Sequence, residues 1–284
     1  MEEIKKLNLL KTNKKMENKK QIVIHCIGDS HVNVFSGQET MQPIWPEKSK
    51  NIIPFFKTYR LGAVLSYNLC SLGTKSQGRE KLFCLLEDLP IGSNIMLCFG
   101  EIDCRAHLLK QALLQKKGIE TIVQECVDRY FSTILEIKKM GYNVLIFNAV
   151  PSAPSTETDN PDLPVFGDCI ERNKTTILFN NYLHFCLKEK GIPFIDIFAE
   201  MIDQNMMTKR EYLQDGIHLN QKAIPSIIKE INRILKLNLT ISKYENIRIY
   251  FLRNMENIIY MHSLLLRKIK YKIKLTIKKI FKIS

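Results

Sequence analysis

The sequence predicts a three-layer α/β/α fold, in which a doubly wound parallel sheet carries helices on both faces. Two observations lead to this fold class. Short apolar runs that end at a glycine, a proline or a polar loop recur along the chain, as in strands that are buried on both faces. Segments with the apolar spacing of helices lie between these runs, and this alternation is typical of α/β proteins.

The apolar runs predict four strands, in chain order 22–27 (IVIHCI), 94–99 (NIMLCF), 142–150 (YNVLIFNAV) and 192–198 (IPFIDIF). Parallel strands end at the same edge of a sheet, and ligands of such folds bind at that edge. We therefore expect the loops that begin at Gly28, Gly100 and Pro151, and the loop after Phe198, to share one rim.

Helical patterns cover the segments 61–72, about 111–140, 169–189 and 221–235. The chain shows no internal repeat and no linker rich in Gly and Ser. We therefore predict a single domain over residues 21–238. A polar, basic lead (1–20) precedes it, and a basic, partly amphipathic extension (239–284) follows it.

The positive charge is concentrated at the two ends of the chain. Residues 1–20 carry +4 and residues 241–284 carry +9 of the net charge of +13, so residues 21–240 are formally neutral. This distribution disfavours a nucleic-acid groove across the folded domain, and we expect no nucleic-acid partner.

The eight cysteines show no C-x-x-C pair, and most of them lie in apolar stretches. This usage indicates buried, reduced thiols rather than a disulfide framework or a metal site. The chain also shows no signal-like leader and no run of about 18 apolar residues. We therefore expect a cytoplasmic protein with no bound metal and no cofactor.

Two short motifs carry chemistry. Gly28-Asp29-Ser30-His31 follows the first predicted strand directly, which places Ser30 at a strand-to-helix turn where its hydroxyl can project into the rim. Asp215-Gly216-Ile217-His218 follows the last predicted strand. An Asp three residues before a His can orient the imidazole and support the charge that forms when the ring accepts a proton.

Together these blocks resemble the SGNH (GDSL-like) hydrolases, over about residues 21–238. GDSH matches the first block of that superfamily, Gly62 in YRLGAVLSYNL the second, GEIDCR (100–105) the third and DGIHLN (215–220) the last. The resemblance implies a flavodoxin-like sheet and an ester-processing activity. It also implies that Ser30 is the nucleophile, His218 the general base and then acid, and Asp215 the residue that orients His218.

The same resemblance assigns the backbone N–H groups of Ser30 and Gly62 to an oxyanion hole. The third block departs from the family pattern, because the usual Asn that supplies a third donor is replaced by Ile102. Loss of one such donor typically lowers a rate by about 100- to 1,000-fold. Asn33 and Arg105 are the candidates to replace it.

Glu101, Asp103 and Arg105 occupy alternating positions after a predicted strand, so in extended backbone they would share one side. They either hold a polar substrate or form an ion-pair network that orders the loop. For Asp29, His31 and Asn33, beside Ser30, the alternatives are contact with the substrate or a role in capping and ordering the loop. The GEID-x-R form of the third block also resembles a subgroup associated with surface-polysaccharide biosynthesis, which favours a glycan substrate.

Residues 267–282 (RKIKYKIKLTIKKIFK) contain eight basic residues and no acidic one. Their apolar positions suit either a two-faced strand or one face of a helix, and both separate charge from apolar surface. One interpretation is peripheral binding to an anionic membrane at its inner face. The other is a solvated extension of a chain that is rich in Lys and Ile throughout.

Three functions remain open on the sequence. The first is a serine esterase that removes an acyl group, most simply acetyl, from a carbohydrate or a related small substrate. The second is an O-acyltransferase that uses the same residues, with a sugar hydroxyl in place of water. The third is a binding or scaffold protein on the same fold, for which Ile102 is the supporting feature.

Overall fold

The computed structural model describes residues 22–154, 164–242, 246–247 and 250–251. Our predictions for the lead (1–20) and for the basic segment 267–282 concern residues outside this set. Within the described ranges, no helix is long and apolar enough to cross a lipid bilayer.

Five parallel strands form one sheet, namely β1 (Ile24–Gly28), β2 (Phe56–Arg60), β3 (Asn94–Cys98), β4 (Asn143–Phe147) and β5 (Phe194–Ile195). Their spatial order is β2-β1-β3-β4-β5, which is the order of flavodoxin-like sheets. The predicted doubly wound α/β/α fold is confirmed. Gly28 is aligned with both Arg60 and Cys98, so the first three strands end level and their following loops meet at one rim.

The apolar patterning misses β2, whose sequence FKTYR contains three charged or polar residues. Phe56 and Thr58 are buried while Lys57 is exposed. This alternation reflects the position of β2 at the edge of the sheet, where one side of the strand is less covered than in the central strands.

In the described part of the chain, the helices beside the sheet are α1 (Gly78–Glu87), α2 (Leu108–Gln115), α3 (Ile119–Lys139), α4 (Cys169–Glu189), α5 (Phe198–Met201) and α6 (Ile224–Leu235). The predicted helix 169–189 coincides with α4. Its start is fixed by a capping box, in which Asp168 and Glu171 each accept the backbone N–H of the other. A 3₁₀ turn, Gln221–Ala223, precedes α6 and completes the predicted segment 221–235.

The predicted helix over 61–72 is wrong, because this segment is a loop with one 3₁₀ turn at Ser66–Asn68. Gly62 has a φ of +98°, which interrupts a right-handed helix. The predicted helix 111–140 is also wrong as a single element. A left-handed Lys116 ends α2 and an extended Gly118 begins α3.

Alternate residues of the strands pack into two separate cores. On β3, Ile95 and Leu97 pack against the layer of α1, α3 and α4, whereas Met96 and Cys98 face the layer that contains α6. Full burial of one Leu or Ile side chain contributes about 1.5–3 kcal/mol. The strand ends that carry the candidate site are therefore held by apolar packing on both faces of the sheet.

Candidate active site

Ser30 begins a 3₁₀ segment, Ser30–Ser36, immediately after β1 and its capping residue Asp29. The Asp29 Oδ1 atom accepts the N–H of His31 at 2.8 Å, which fixes the turn. Asp29 is fully buried, and this burial raises its pKa to about 7. Gly28 leaves no room for a side chain, since a Cβ there would lie 2.3 Å from the carbonyl oxygen of Cys98.

Ser30, His218 and Asp215 form a continuous hydrogen-bonded chain. His218 Nε2 lies 2.8 Å from Ser30 Oγ, and His218 Nδ1 lies 2.7 Å from Asp215 Oδ2. A carboxylate can only accept a hydrogen bond, so the proton of a neutral His218 belongs on Nδ1. Nε2 is then left to accept the hydroxyl proton of Ser30, which is the arrangement needed to activate this alcohol as a nucleophile.

Asp215 is held as a carboxylate by its own loop. Burial raises its pKa, but hydrogen bonds and charge from His218, together with the N–H groups of His218 and Ile217, outweigh burial and keep the pKa below its usual value. These two backbone bonds to Oδ1 measure 2.9 and 3.2 Å. The carboxylate can therefore support positive charge on His218 throughout the neutral pH range.

A tight hairpin presents this Asp–His pair to the rim. Leu213 and Leu219 form an antiparallel bridge, and the N–H of Gln214 donates to the carbonyl of His218 at 2.8 Å. The Gln214 side chain also donates to the carbonyl of Glu39, in the loop after Ser30–Ser36. The segments that carry Ser30 and His218 are thus also tied together at a point away from these two side chains.

The N–H groups of Ser30 and Gly62 have no hydrogen-bond partner within the part of the chain that the structure describes. Both residues line the same cavity. The positive φ of Gly62 sets the orientation of its peptide group. Residues with a side chain rarely adopt this backbone conformation. Two backbone donors are thus available for an oxyanion, as the sequence predicts, although their role in a reaction stays a prediction.

Ile102 also lines this cavity and has no group that can donate a hydrogen bond. Asn33 does not replace the missing amide. Its Nδ2 donates to the carbonyl of Gln38 at 3.4 Å, its Oδ1 accepts the N–H of Gln42 at 2.8 Å, and its side chain is buried. Asn33 orders the loop that follows Ser30–Ser36.

The expectation that Glu101, Asp103 and Arg105 share one side in extended backbone is wrong. The chain becomes helical directly after Gly100, with a π-helical turn at Asp103–His107. Glu101 and Arg105 therefore pair along one helical face, with Arg105 Nε 2.8 Å from Glu101 Oε1. Asp103 points elsewhere and accepts the N–H groups of Ser66 and Tyr67 at 2.8 and 3.2 Å.

Glu101 also lies 3.1 Å from His31 Nε2, and all three side chains of this cluster are buried. Burial raises the pKa of Glu101, but His31 and Arg105 outweigh burial and lower it to about 2. For His31, burial lowers the pKa, whereas the charge of Glu101 and its hydrogen bond raise it above its usual value. The His31 ring contacts the His218 ring, with centroids 5.1 Å apart. The buried cluster of His31, Glu101 and Arg105 therefore packs against His218 through His31.

Arg105 both belongs to this cluster and reaches the cavity. Its Nη1 atom donates to the carbonyl of Pro164 at 2.6 Å, and the residue is part of the cavity lining. The structure therefore gives each of five side chains a partner within the protein itself, namely Asp29, His31, Asn33, Glu101 and Asp103. For these five residues and Arg105, the sequence left open whether they bind substrate or order a loop. Within the described residues, Arg105 is the member of this set that also lines the cavity.

The cavity beside Ser30 has a volume of about 700 Å³. Several of its lining residues stand in no motif of the sequence that indicates a site, notably Lys75, Lys81 and His107. Arg60, which also lines the cavity, could have been found, because it stands two positions before Gly62 in the second matched block. Among the described residues, no group of three or more His, Cys, Asp or Glu side chains is arranged to hold a metal ion.

Comparison with known proteins finds similarity in structure but not in sequence. No family model matches the chain, and no curated protein matches it significantly. Solved structures with a similar fold include an arginine-to-alanine variant of an acetyl-xylooligosaccharide esterase from Geobacillus, with 14% identity, a TM-score of 0.48 and coverage of 80% of this chain and 100% of that one.

Two further structures are similar. A GDSL-like lipase from Bacteroides thetaiotaomicron has 12% identity and a TM-score of 0.44, with coverage of 81% of this chain and 94% of the other. Phospholipase A1 from Streptomyces albidoflavus has 12% identity and a TM-score of 0.44, with coverage of 75% and 99%. Likeness at these identities concerns the fold and says nothing about the substrate of this chain.

Proposed function

We propose that this protein is a serine esterase of the SGNH type. The observation that carries the proposal is the unbroken chain from Ser30 Oγ through His218 to Asp215, with distances of 2.8 and 2.7 Å. It is supported by a cavity at the same serine and by two unpartnered N–H groups that line it.

In the first half of the reaction, Ser30 Oγ attacks the acyl carbon while His218 Nε2 takes the hydroxyl proton. The N–H groups of Ser30 and Gly62 stabilise the oxyanion of the tetrahedral intermediate. His218 then gives its proton to the departing alkoxide, the ester bond breaks, and the acyl group stays on Ser30.

In the second half, water approaches the acyl-enzyme and His218 accepts one of its protons. Attack by the resulting hydroxide forms a second tetrahedral intermediate, which collapses to the free acid as the proton returns to Ser30. Asp215 remains a carboxylate throughout and stabilises the imidazolium form of His218.

For the substrate, we propose an acetyl ester on a hydroxyl group of a carbohydrate or a related small molecule. The support is the GEID-x-R form of the third block (100–105), which resembles the subgroup associated with surface polysaccharides. A cavity of about 700 Å³ lies in the size range of small-molecule sites.

Labelling with a fluorophosphonate and hydrolysis of p-nitrophenyl acetate test the proposal. We expect covalent labelling at Ser30 and ester hydrolysis, and we expect both to be lost in Ser30→Ala. Ser93→Ala is a matched control, because this serine lies at the opposite end of the sheet and its Oγ donates only to the local carbonyl of Pro90.

If Ser30→Ala retains the full rate, the nucleophile is wrongly assigned. If wild type is neither labelled nor active, the fold serves as a binding protein, for which Ile102 is the supporting feature. Mass spectrometry of the products with a sugar acceptor present distinguishes hydrolysis from acyl transfer, because transfer yields an acylated sugar instead of free acid.

A further inference from the structure

Part of the lining of the Ser30 cavity comes from the end of β2, the start of α1 and the loop between them. Arg60 is the last residue of β2, Lys75 lies in the loop before α1, and Lys81 lies in the first turns of that helix. All three line the cavity together with Ser30 and His218. The described part of this lining contains no Asp or Glu.

Among the described residues these three cations form no salt bridge, although Glu80, beside Lys81 in the chain, interacts electrostatically with that lysine from outside the cavity lining. Every ion pair of this part of the chain involves other basic residues. Arg60 Nε donates to the carbonyl of Gln42 at 2.6 Å, and Lys81 Nζ to the carbonyl of Leu61 at 3.3 Å. Carbonyl contacts orient these side chains without neutralising them.

Arg105 lines the same cavity, but its charge is neutralised by Glu101, whose Oε1 lies 2.8 Å from Arg105 Nε. Arg60 is partly removed from water, and this burial lowers its pKa below the usual value for arginine. A partly desolvated cation without a carboxylate gains more from a bound anion than one that is fully hydrated.

The placement of these charges is selective. Residues 21–240 are formally neutral, so an excess of cations in the lining of one cavity does not follow from the composition of the domain. Cavities lined by one sign of charge concentrate ligands of the opposite sign. Arg60 and Gly62, which supplies a proposed oxyanion donor, both line this cavity.

We infer that the Ser30 cavity takes an ester whose alcohol part carries a negative charge, such as an acetylated sugar with a carboxylate or phosphate group. Arg60, Lys75 and Lys81 bind this anionic group while the acyl carbon faces Ser30. The inference rests on the proposed function, because the ligand is the ester that Ser30 attacks.

Isothermal titration calorimetry with the full-length Ser30→Ala protein tests the inference without turnover. Three ligands share one ring, namely O-acetylated methyl galactoside, the corresponding methyl galacturonoside and the 6-phosphate of the galactoside. At about 0.01 M ionic strength, where charges act over about 30 Å, we expect both anionic esters to bind at least tenfold more tightly than the neutral one. The ratio of the two anionic affinities identifies the preferred group.

The double variant Lys75→Gln/Lys81→Gln should reduce this preference to about twofold or less, in line with the loss of two charges. Lys229→Gln is the matched control, since this exposed lysine lies on α6, in the layer on the other face of the sheet. Arg60→Gln provides a second, independent variant, and thermal melting of each variant verifies that it is folded.

Equal binding of the three esters, no binding of any, or an anion preference that survives both Lys75→Gln/Lys81→Gln and Arg60→Gln would overturn the inference. Fluorophosphonate labelling of the wild type separates this failure from failure of the proposed function. A labelled Ser30 without anion preference overturns the substrate class alone. An unlabelled Ser30 with an intact anion preference overturns the esterase but supports the anionic ligand.

Discussion

Ser30 Oγ lies 2.8 Å from His218 Nε2, although the two residues are 188 positions apart in the chain. Ser30 follows the first strand of the sheet, and His218 lies in a hairpin beyond the last strand. β1 is an internal strand, between β2 and β3, and the bond from Gln214 to the Glu39 carbonyl ties the hairpin to the loop after Ser30–Ser36. The catalytic proposal depends on the contact between Ser30 and His218 more than on any other.

Replacement of Asp215 by Asn should lower kcat for p-nitrophenyl acetate by about 10³- to 10⁴-fold, with little change in KM. The amide has no charge to stabilise the imidazolium, and it can donate to Nδ1 and so favour the wrong tautomer. Steady-state kinetics measures the effect. Asp203→Asn, at a loop carboxylate that is bonded to local N–H groups, serves as control, and equal losses in the two variants would remove the special role of Asp215.

Substitution of Ile102 by Asn should raise kcat by at least tenfold. Ile102 lines the cavity beside Ser30, and an amide there restores a third donor of a kind worth about 100- to 1,000-fold in rate. Ile102→Leu should leave kcat within about twofold. An unchanged or lower kcat in a folded Ile102→Asn protein would mean that this position does not face the oxyanion.

Gly62→Ala should lower kcat by about 100-fold, because φ at Gly62 is +98° and a side chain favours a rotated peptide whose N–H misses the oxyanion. Gly73→Ala is a matched control. Gly73 also has a positive φ, of +70°, and nothing lies within 4 Å of an added Cβ. Both variants therefore introduce a side chain at a positive φ, but only Gly62→Ala changes a proposed oxyanion donor. Comparable losses of kcat in both variants would show that the effect is general destabilisation.

Glu101→Gln should destabilise the protein by about 3–5 kcal/mol at pH 7, the usual effect of removing one partner from a buried ion pair. The pKa of Glu101 falls from 4.5 to about 2 on folding. Its contribution is therefore complete above pH 4.5 and is lost as the pH falls towards 2. The difference in unfolding free energy between wild type and variant should shrink over this interval in denaturant titrations.

Glu136→Gln is the control for that experiment. Its carboxylate pairs with Arg79 at 2.7 Å but is 44% exposed, so its loss should cost less than about 1 kcal/mol. A Glu101→Gln protein as stable as this control would argue that the cluster of His31, Glu101 and Arg105 is not an energetic support of the site.

Local patterns were sufficient for much of the fold. The apolar runs at β1, β3, β4 and β5 and the helix Cys169–Glu189 are visible in the sequence because burial on both faces and helical periodicity leave direct traces in composition. The edge strand β2 leaves no such trace. The helix predicted over 61–72 fails because a single glycine conformation and the bonds of Asp103 to Ser66 and Tyr67 override the local apolar spacing.

The sequence by itself determined the fold class and the two motifs that contain Ser30, Asp215 and His218. The tertiary structure alone decided that Ser30 and His218 touch, that Asp103 turns away from Glu101 and Arg105, and that Arg60, Lys75 and Lys81 line the same cavity. Burial and periodicity act on neighbours along the chain and are therefore readable locally. Contacts between distant segments depend on strand order and loop conformation, which no single segment encodes.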